Sequence, residues 1–294
     1  MPRPIVSIVR VGREGNIAGA VREAVRLTGG FGKTIAKGDA VLIKPNAKNT
    51  TAPGLGVNTD ARIVEAVSDL VLECGASRVV IADGAAFPSG NWDTMAAFEA
   101  SGIARLAHRK NTELYDLNAA EPVIIDIQDG LVLKTFRTGK IVLDSDVIIN
   151  IPVLKTHAET LVTLCLKNLA LGIAQKWEKK NLHKAGLHES IVDIYANVRT
   201  HFNVVDGIVG LEGDGPNLPR GKTKTIGIVL AGDQGLAVDA VSCRIMGIEP
   251  REVTHLRMAA ERGLGTIDLD QIEVVGEPIE RVAKPFERPT SQNP

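Results

Sequence analysis

The sequence predicts an α/β protein with a largely parallel central sheet and helices on both faces. Three observations lead there. Short runs rich in β-branched residues alternate with segments of helical periodicity. Three of those runs, Val79–Ile81, Val147–Ile149 and Ile226–Leu230, are apolar without alternation, as strands covered on both faces are. The composition is 44% hydrophobic but only 3% aromatic over 294 residues, so the core must be aliphatic.

The elements follow in order. PIVSIVRV reads as a strand, and AGAVREAVRLTGG as a helix that stops at a glycine pair. DAVLIKPN is a second strand with a polar tip, followed by the glycine-rich loop TTAPGLGVNT. Asp60 can cap ARIVEAVSDLVLECGA, where Ile63, Val64, Val67, Leu70 and Val71 keep helical spacing. RVVIADG is a buried strand, and a helix near 93–108 and the strands ELYDL and PVIIDI come next. A turn at Gly130 introduces a hairpin of VLKTFR with KIVLD, an antiparallel excursion near 131–144. DVIINIPV is another buried strand, leading into a helix near 158–173 and a basic loop, AQKWEKKNLHKAG. The helix ESIVDIYANVRT, the strands FNVVDG and TKTIGIVLAG, the helices LAVDAVSCRIMG and EVTHLRMAAERGLG and the strand QIEVVG complete the pattern. Residues 1–283 read as one α/β unit or as two lobes with a cleft, divided near 120–145. Residues 284–294, with Pro285, Pro289 and Pro294, read as a disordered tail.

A formal net charge of −1 supplies no field for nucleic acid or a membrane surface. The chain has no apolar run long enough to span a bilayer, and MPRPIVSIVRV lacks the shape of a signal peptide. Cys74, Cys165 and Cys243 lie far apart without a C-x-x-C pair, which excludes a self-contained iron–sulfur or zinc-ribbon motif. These features suit a cytoplasmic protein.

In open α/β sheets ligands bind beyond the carboxyl ends of the strands. There this sequence places Lys44-Pro45-Asn46 with Lys48, Asp83-Gly84, Lys155-Thr156-His157, Asp206-Gly207, and Gly232-Asp233 with Asp239 a helical turn later. Glu212 and Gly213-Asp214-Gly215 follow Asp206. Each would be an ordinary turn by itself; together they describe one polar rim. The segment IPVLKTHAETLVTLCLKNLALG carries Lys155, His157 and Lys167 through an otherwise apolar run, although lysines are rarely buried without a partner. In a helix starting near Thr160, that residue would share a face with Thr163 and Lys167, a polar stripe aimed at a wet cavity. His183 and His188 belong to or adjoin the basic loop, whose tip could cover such a site. The standard dinucleotide fingerprint is absent from the first βα turn, and the P-loop motif occurs nowhere.

The ordered motifs KPN, IPVLKTH with TLCLKNLALG, VVDGIVGLEGDGP and GDQGLAVDAVSCRIMG, spread over about residues 40–250, resemble the domain-of-unknown-function 362 family. Many of its members carry a ferredoxin-like segment with two four-iron clusters, and this chain shows no such cysteines. A fainter similarity of plan is to the lactate racemase type of protein, where Lys and His at a cleft between α/β lobes serve a nickel-nucleotide cofactor. The expectation is an enzyme acting on a small anionic carboxylate or phosphate by Lys/His general acid–base chemistry, metal-assisted or redox-linked. The alternative is a non-catalytic ligand- or cofactor-binding module working with a separate ferredoxin-type partner. The candidate catalytic residues are His157, Lys155 and Lys167. Lys44, Asn46, Thr160, Asn168, Gly213, Gly215 and His188 are candidates for holding the ligand. Asp206, Asp239 and Asp214, with Glu212 near them, are candidates for a hard divalent cation.

Overall fold

Successive side chains of the apolar runs go to opposite faces of a sheet, and here they fill two separate cores. The computed structural model describes residues 2–12, 14–86, 93–198 and 200–292. Its strands are β1 (Ile5–Arg10), β2 (Ala40–Pro45), β3 (Arg78–Asp83), β4 (Thr112–Asp116), β5 (Pro122–Asp126), β6 (Thr135–Gly139), β7 (Val147–Ile151), β8 (Val153–His157), β9 (Leu161–Val162), β10 (Phe202–Gly213), β11 (Gly221–Gly232) and β12 (Glu273–Gly276). The helices are α1 (Ile17–Leu27), α2 (Ala61–Glu73), α3 (Thr94–Ser101), α4 (Leu164–Ile173), α5 (Lys176–Ala185), α6 (Leu187–Asn197), α7 (Gly235–Ile245) and α8 (Thr254–Glu261).

The main sheet runs β12-β1-β11-β10-β7-β2-β3-β4, and β8 and β9 attach beside β10. Pairing is parallel from β10 through β7, β2 and β3 to β4, and between β1 and β12. Only β11 runs against its neighbours β1 and β10 on this path among the described residues. The three apolar runs lie in β3, β7 and β11, all interior, as their lack of alternation requires. Val41, Ile43, Val79, Ile81 and Ile149 face a core built with α1, α2 and α3. Leu42, Val80, Ile148, Val205 and Leu230 face the other, built with α4, α6, α7 and α8.

Two buried aspartates anchor helix starts, one from the sheet and one from a neighbouring helix. Asp206 in β10 accepts Asp60 N at 2.8 Å, just where α2 begins, and Ile208 N at 3.0 Å. Asp239 on α7 accepts Cys165 N at 2.7 Å and Leu166 N at 3.0 Å, two of the free N–H groups in the first turn of α4. Burial pushes both carboxyls up to about 7 against the pull of these N–H groups.

Four local expectations are corrected. The helix predicted from 158 begins at Leu164, because residues 161–162 pair with β8 instead, and Leu161 and Leu164 take φ of 63° and 46°. The hairpin joins PVIID to TFRTG, forming its own two-stranded sheet within the 120–145 stretch, while Lys140–Val142 is a 3₁₀ turn. The basic loop is helical over α5, since Lys179 and Leu182, three residues apart, share a buried face. The predicted tail packs on the body. Lys284 N and Phe286 N donate to Ile245 O and Met246 O, and Phe286 is buried; Pro294 lies outside the described residues.

Asp239→Ala would strand two buried N–H groups at the start of α4, at a cost of about 2–4 kcal/mol. Asp239→Asn, which keeps one acceptor, should lose less. Thermal melts of the two variants check this, and equal losses would show that the cap is not the reason for this carboxylate.

Candidate functional site

The chain proceeds from β2 outward to β3 and β4, then returns to β7 on the other side of β2 and continues to β10. Connection direction therefore reverses between β2 and β7, the point at which an open sheet leaves a crevice beyond its strand ends. Pro152 ends the β7 ladder, since it has no N–H, and the chain steps into β8 over that crevice.

A cavity of about 560 Å³ opens there. Lys155, Thr163, Lys167, Asn168 and Lys179 line its buried part with Asp83 and Gly84, and Lys48 and His157 are half-buried in its wall. Glu159, Lys180, His183 and Arg220 are at the exposed rim, where His183 Nδ1 lies 3.4 Å from Glu159 Oε2.

Lys44 and Asp83 form the base of this arrangement. They end adjacent parallel strands, and Lys44 Nζ meets Asp83 Oδ1 at 2.9 Å with both side chains at most 3% exposed. Asp83 also accepts Ala47 N at 2.6 Å and Gly84 N at 2.7 Å, while Lys44 donates to Pro45 O at 2.5 Å. A Cβ at Gly172 would lie 1.8 Å from Lys44 Cε, so only glycine lets α4 pass this pair. Burial lowers the Lys44 pKa, and Asp83 opposes the shift. Lys44 is thus paired inside the protein, which corrects the expectation that it holds the ligand.

Four other lysines have no carboxylate within ion-pair distance among the described residues. Lys155 Nζ donates to Val57 O at 2.8 Å and to Asn46 Oδ1. The glycine-rich loop delivers that carbonyl, because Gly56, at φ 72°, packs on Gly210 O where a Cβ would stand 2.2 Å away. Lys167 Nζ donates to Thr160 Oγ1 at 2.9 Å, Lys179 Nζ to Ala174 O and Lys48 Nζ to Ala86 O. Burial, reinforced by neighbouring lysines, pushes Lys155 and Lys179 down to about 7, and burial against the opposing pull of Asp83 takes Lys48 to about 8. Lys167 is held well below its ordinary value for the same reason, with Glu159 pulling the other way. His157 is also held far down, by burial and then by Lys167 and Lys155, so its imidazole is neutral. Its Nδ1 accepts Glu159 N at 3.1 Å, which leaves the proton on Nε2.

A row of buried amides runs from this cluster into the sheet. Asn46 Nδ2 donates to Asn168 Oδ1 at 2.8 Å, Asn168 Nδ2 to Asn150 Oδ1 at 2.8 Å, and Asn150 Nδ2 to Asn203 Oδ1 at 3.2 Å. Thr163 Oγ1, lining the cavity and buried, has no hydrogen-bond partner.

Of the candidates, then, Lys155, His157, Lys167, Asn46, Asn168 and Gly215 meet at one cavity, with Thr160 behind Lys167. Gly213 accepts Thr156 Oγ1 beneath the wall and does not line the cavity. His188 turns instead toward His255, with their Nδ1 atoms 3.3 Å apart, and leaves the site. The three metal candidates are dispersed. Asp206 and Asp239 hold helix starts as described, Asp214 accepts Thr290 N and Oγ1, and Glu212 pairs with Lys224 at 2.6 Å. Their lone pairs are directed at protein donors, which corrects the expected cation site. No cluster of three or more His, Cys, Asp or Glu suited to a metal occurs among the described residues, so the lining donors do not fit a metal held by this chain alone. Lys179 and Thr163 are site residues without a clear cue in the sequence: the first lies in a charge run, and the second is only one member of a polar stripe.

The family model for the domain of unknown function DUF362 matches residues 41–244, which include every residue lining the cavity. A curated relative, the thylakoid-associated protein sll1697 of Synechocystis sp., is 29% identical over 264 residues, covering 85% of this chain and 76% of the relative. Among solved structures, the lactate racemase apoprotein of Thermoanaerobacterium thermosaccharolyticum matches 84% of this chain with a TM-score of 0.50 and 13% identity, a likeness of fold. This chain spans 58% of that protein's length. No helix among the described residues is long and apolar enough to cross a membrane.

The lysine shifts imply a pH dependence. Lys155, Lys179 and Lys48 fall from an unfolded value of 10.5 to about 7, 7 and 8, so the fold disfavours their charged forms. That penalty is absent above pH 10.5, grows as pH falls toward 7–8 and is complete below. Asp206 and Asp239, at about 7, titrate below this window. The protein without ligand should melt at a higher temperature near pH ~9.5 than near pH ~8. A melt that instead falls steadily across that range would mean the lysines are not held below their ordinary values.

Proposed function

The chain belongs to the DUF362 family, and from the charge of its cleft we propose that it is an enzyme acting on a small anionic molecule, a carboxylate or a phosphate, by lysine–histidine acid–base chemistry. One observation carries the reading. Lys48, Lys155, Lys167 and Lys179 surround a single cavity with their ammonium groups against neutral oxygens only. Burying an ammonium without a counter-charge costs several kcal/mol, and an anionic ligand would supply that charge to all four. The volume suits a small molecule.

The roles follow from the surroundings of each group. Lys48, Lys167 and Lys179 hold the anion as point charges, with the orphaned Thr163 hydroxyl free to donate to it. Lys155, near 7, gives and takes protons at neutral pH, where an amine at its ordinary value would be locked as the cation. His157, neutral and protonated on Nε2, is a hydrogen-bond donor toward an oxygen that gains charge during reaction, and not the general acid–base suggested by the free value of histidine. Asn46 and Asn168 position Lys155 from behind.

Lys167→Met separates this reading from a structural one. Thr160 is a neutral partner, so the substitution strands no carboxylate and should leave the melting temperature of the protein without ligand unchanged or raised. Stabilisation by inorganic phosphate or by lactate, the substrate named for the fold neighbour, should fall by about tenfold in apparent affinity. Phosphate and lactate both failing to shift the wild-type melt would remove the support for an anion cleft.

A further inference from the structure

Lys155 differs from the other cavity lysines in how its nitrogen is held. Two acceptors lie within reach of Nζ: Val57 O at 2.8 Å and Asn46 Oδ1. Lys167 and Lys179 have one each, a hydroxyl and a carbonyl. A neutral amine has two N–H bonds and one lone pair, so two acceptors engage both hydrogens and leave the lone pair as the remaining tetrahedral direction. Lys155 also lines the cavity, which is the side from which a ligand would meet that lone pair. Both acceptors are themselves fixed. Asn46 donates to Asn168 at 2.8 Å and its backbone N to Thr59 Oγ1 at 2.7 Å, and Val57 is completely buried beside the glycine that packs on Gly210.

We propose that Lys155 is an amine nucleophile, and that the anionic substrate carries an aldehyde or ketone group that condenses with it to form an imine. The proposal rests on the anion cleft and narrows its substrate to carbonyl-bearing anions such as 2-oxo acids. The lone pair of Lys155 Nζ adds to the carbonyl carbon, and the resulting carbinolamine expels its hydroxyl. Both amine hydrogens leave in the water formed, C=O is replaced by C=N, and the imine nitrogen takes one proton from solvent. The iminium N–H then keeps one of the two acceptors. Burial, then Lys48 and Lys44, disfavour a positive charge on Lys155 when the cleft is empty, and the substrate's own negative charge offsets that of the iminium. His157 Nε2–H is a donor for the carbonyl oxygen as it gains charge during addition. The Lys155 pKa near 7 leaves about half of this amine nucleophilic at neutral pH, against a small fraction of a per cent for a lysine at 10.5.

Reductive trapping on the full chain tests this. The protein is incubated near pH ~7 with glyoxylate or pyruvate and cyanoborohydride, which adds hydride to the imine carbon and locks the bond, and the modified lysines are mapped by peptide mass spectrometry. Lys155 should be labelled at least about tenfold faster than the exposed, ion-paired Lys140 and Lys222, and glycolate or lactate, which lack the carbonyl, should slow that labelling by competition. If lactate or glycolate stabilises the protein while labelling at Lys155 stays no greater than at Lys140 and Lys222, the imine proposal fails and the anion cleft stands. If none of the four acids binds and Lys155 is not labelled, both fail. Since the mapping uses the wild-type protein, the result does not depend on whether a Lys155 variant folds.

Discussion

Everything at this site is arranged around the ion pair of Lys44 and Asp83, sealed beneath the cavity at the ends of two parallel strands. Removing one member of such a pair leaves an uncompensated buried charge, which typically costs about 3–5 kcal/mol. Here more would be lost than stability. Asp83 holds the backbone at Ala47 and Gly84, and both residues line the cleft. The bare face of α4 at Gly172 rests on the same pair, which brings Lys167 and Asn168 to the cavity on the preceding turn. One neutralised lysine thereby helps to place the backbone beside Lys48 and the helix that carries Lys167, two of the unneutralised ones.

The contrast between these two kinds of lysine gives the cleft its chemistry. Lys44 has its carboxylate and serves packing, while Lys48, Lys155, Lys167 and Lys179 are buried against neutral oxygens and crowd one another. Burial lowers the pKa of each, and neighbouring lysines add to the shift at Lys155, Lys167 and Lys179, so the empty cleft lies poised between amine and ammonium near neutral pH. Such a site gains most from a ligand that brings negative charge, and a perturbed group in a concave cleft is where reactive chemistry is sought. His157 is drawn into the same field. In isolation it would titrate near neutrality, but beside Lys155 and Lys167 it stays neutral and becomes a donor.

The aspartates illustrate how strand ends can mislead. Asp206 and Asp239 occupy positions where a cation ligand could sit, yet each accepts two backbone N–H groups, and between them they fasten the starts of α2 and α4. Of the two helices α4 lines the cavity, so Asp239 matters to the site through the backbone it holds and not through a metal. Asp214 likewise secures the chain near Thr290 instead of facing the cavity.

Periodicity and burial chemistry are local properties, and the sequence by itself determined what depends on them. It determined the α/β class, the three interior strands with both faces covered, and the anomaly of Lys155, His157 and Lys167 in an apolar run. The motifs that carry the family resemblance lie in the same stretches. Tertiary structure decided what depends on partners remote in sequence. Lys44 and Asp83 are 39 positions apart and became a pair only because β2 and β3 lie side by side. Pairing of residues 161–162 with β8 overrode the helical pattern from Thr160, and the buried face shared by Lys179 and Leu182 turned a run of charges into α5. Whether a buried lysine meets a carboxylate, a carbonyl or a cavity is a matter of distances across the fold, and no residue's immediate neighbours in the chain encode it.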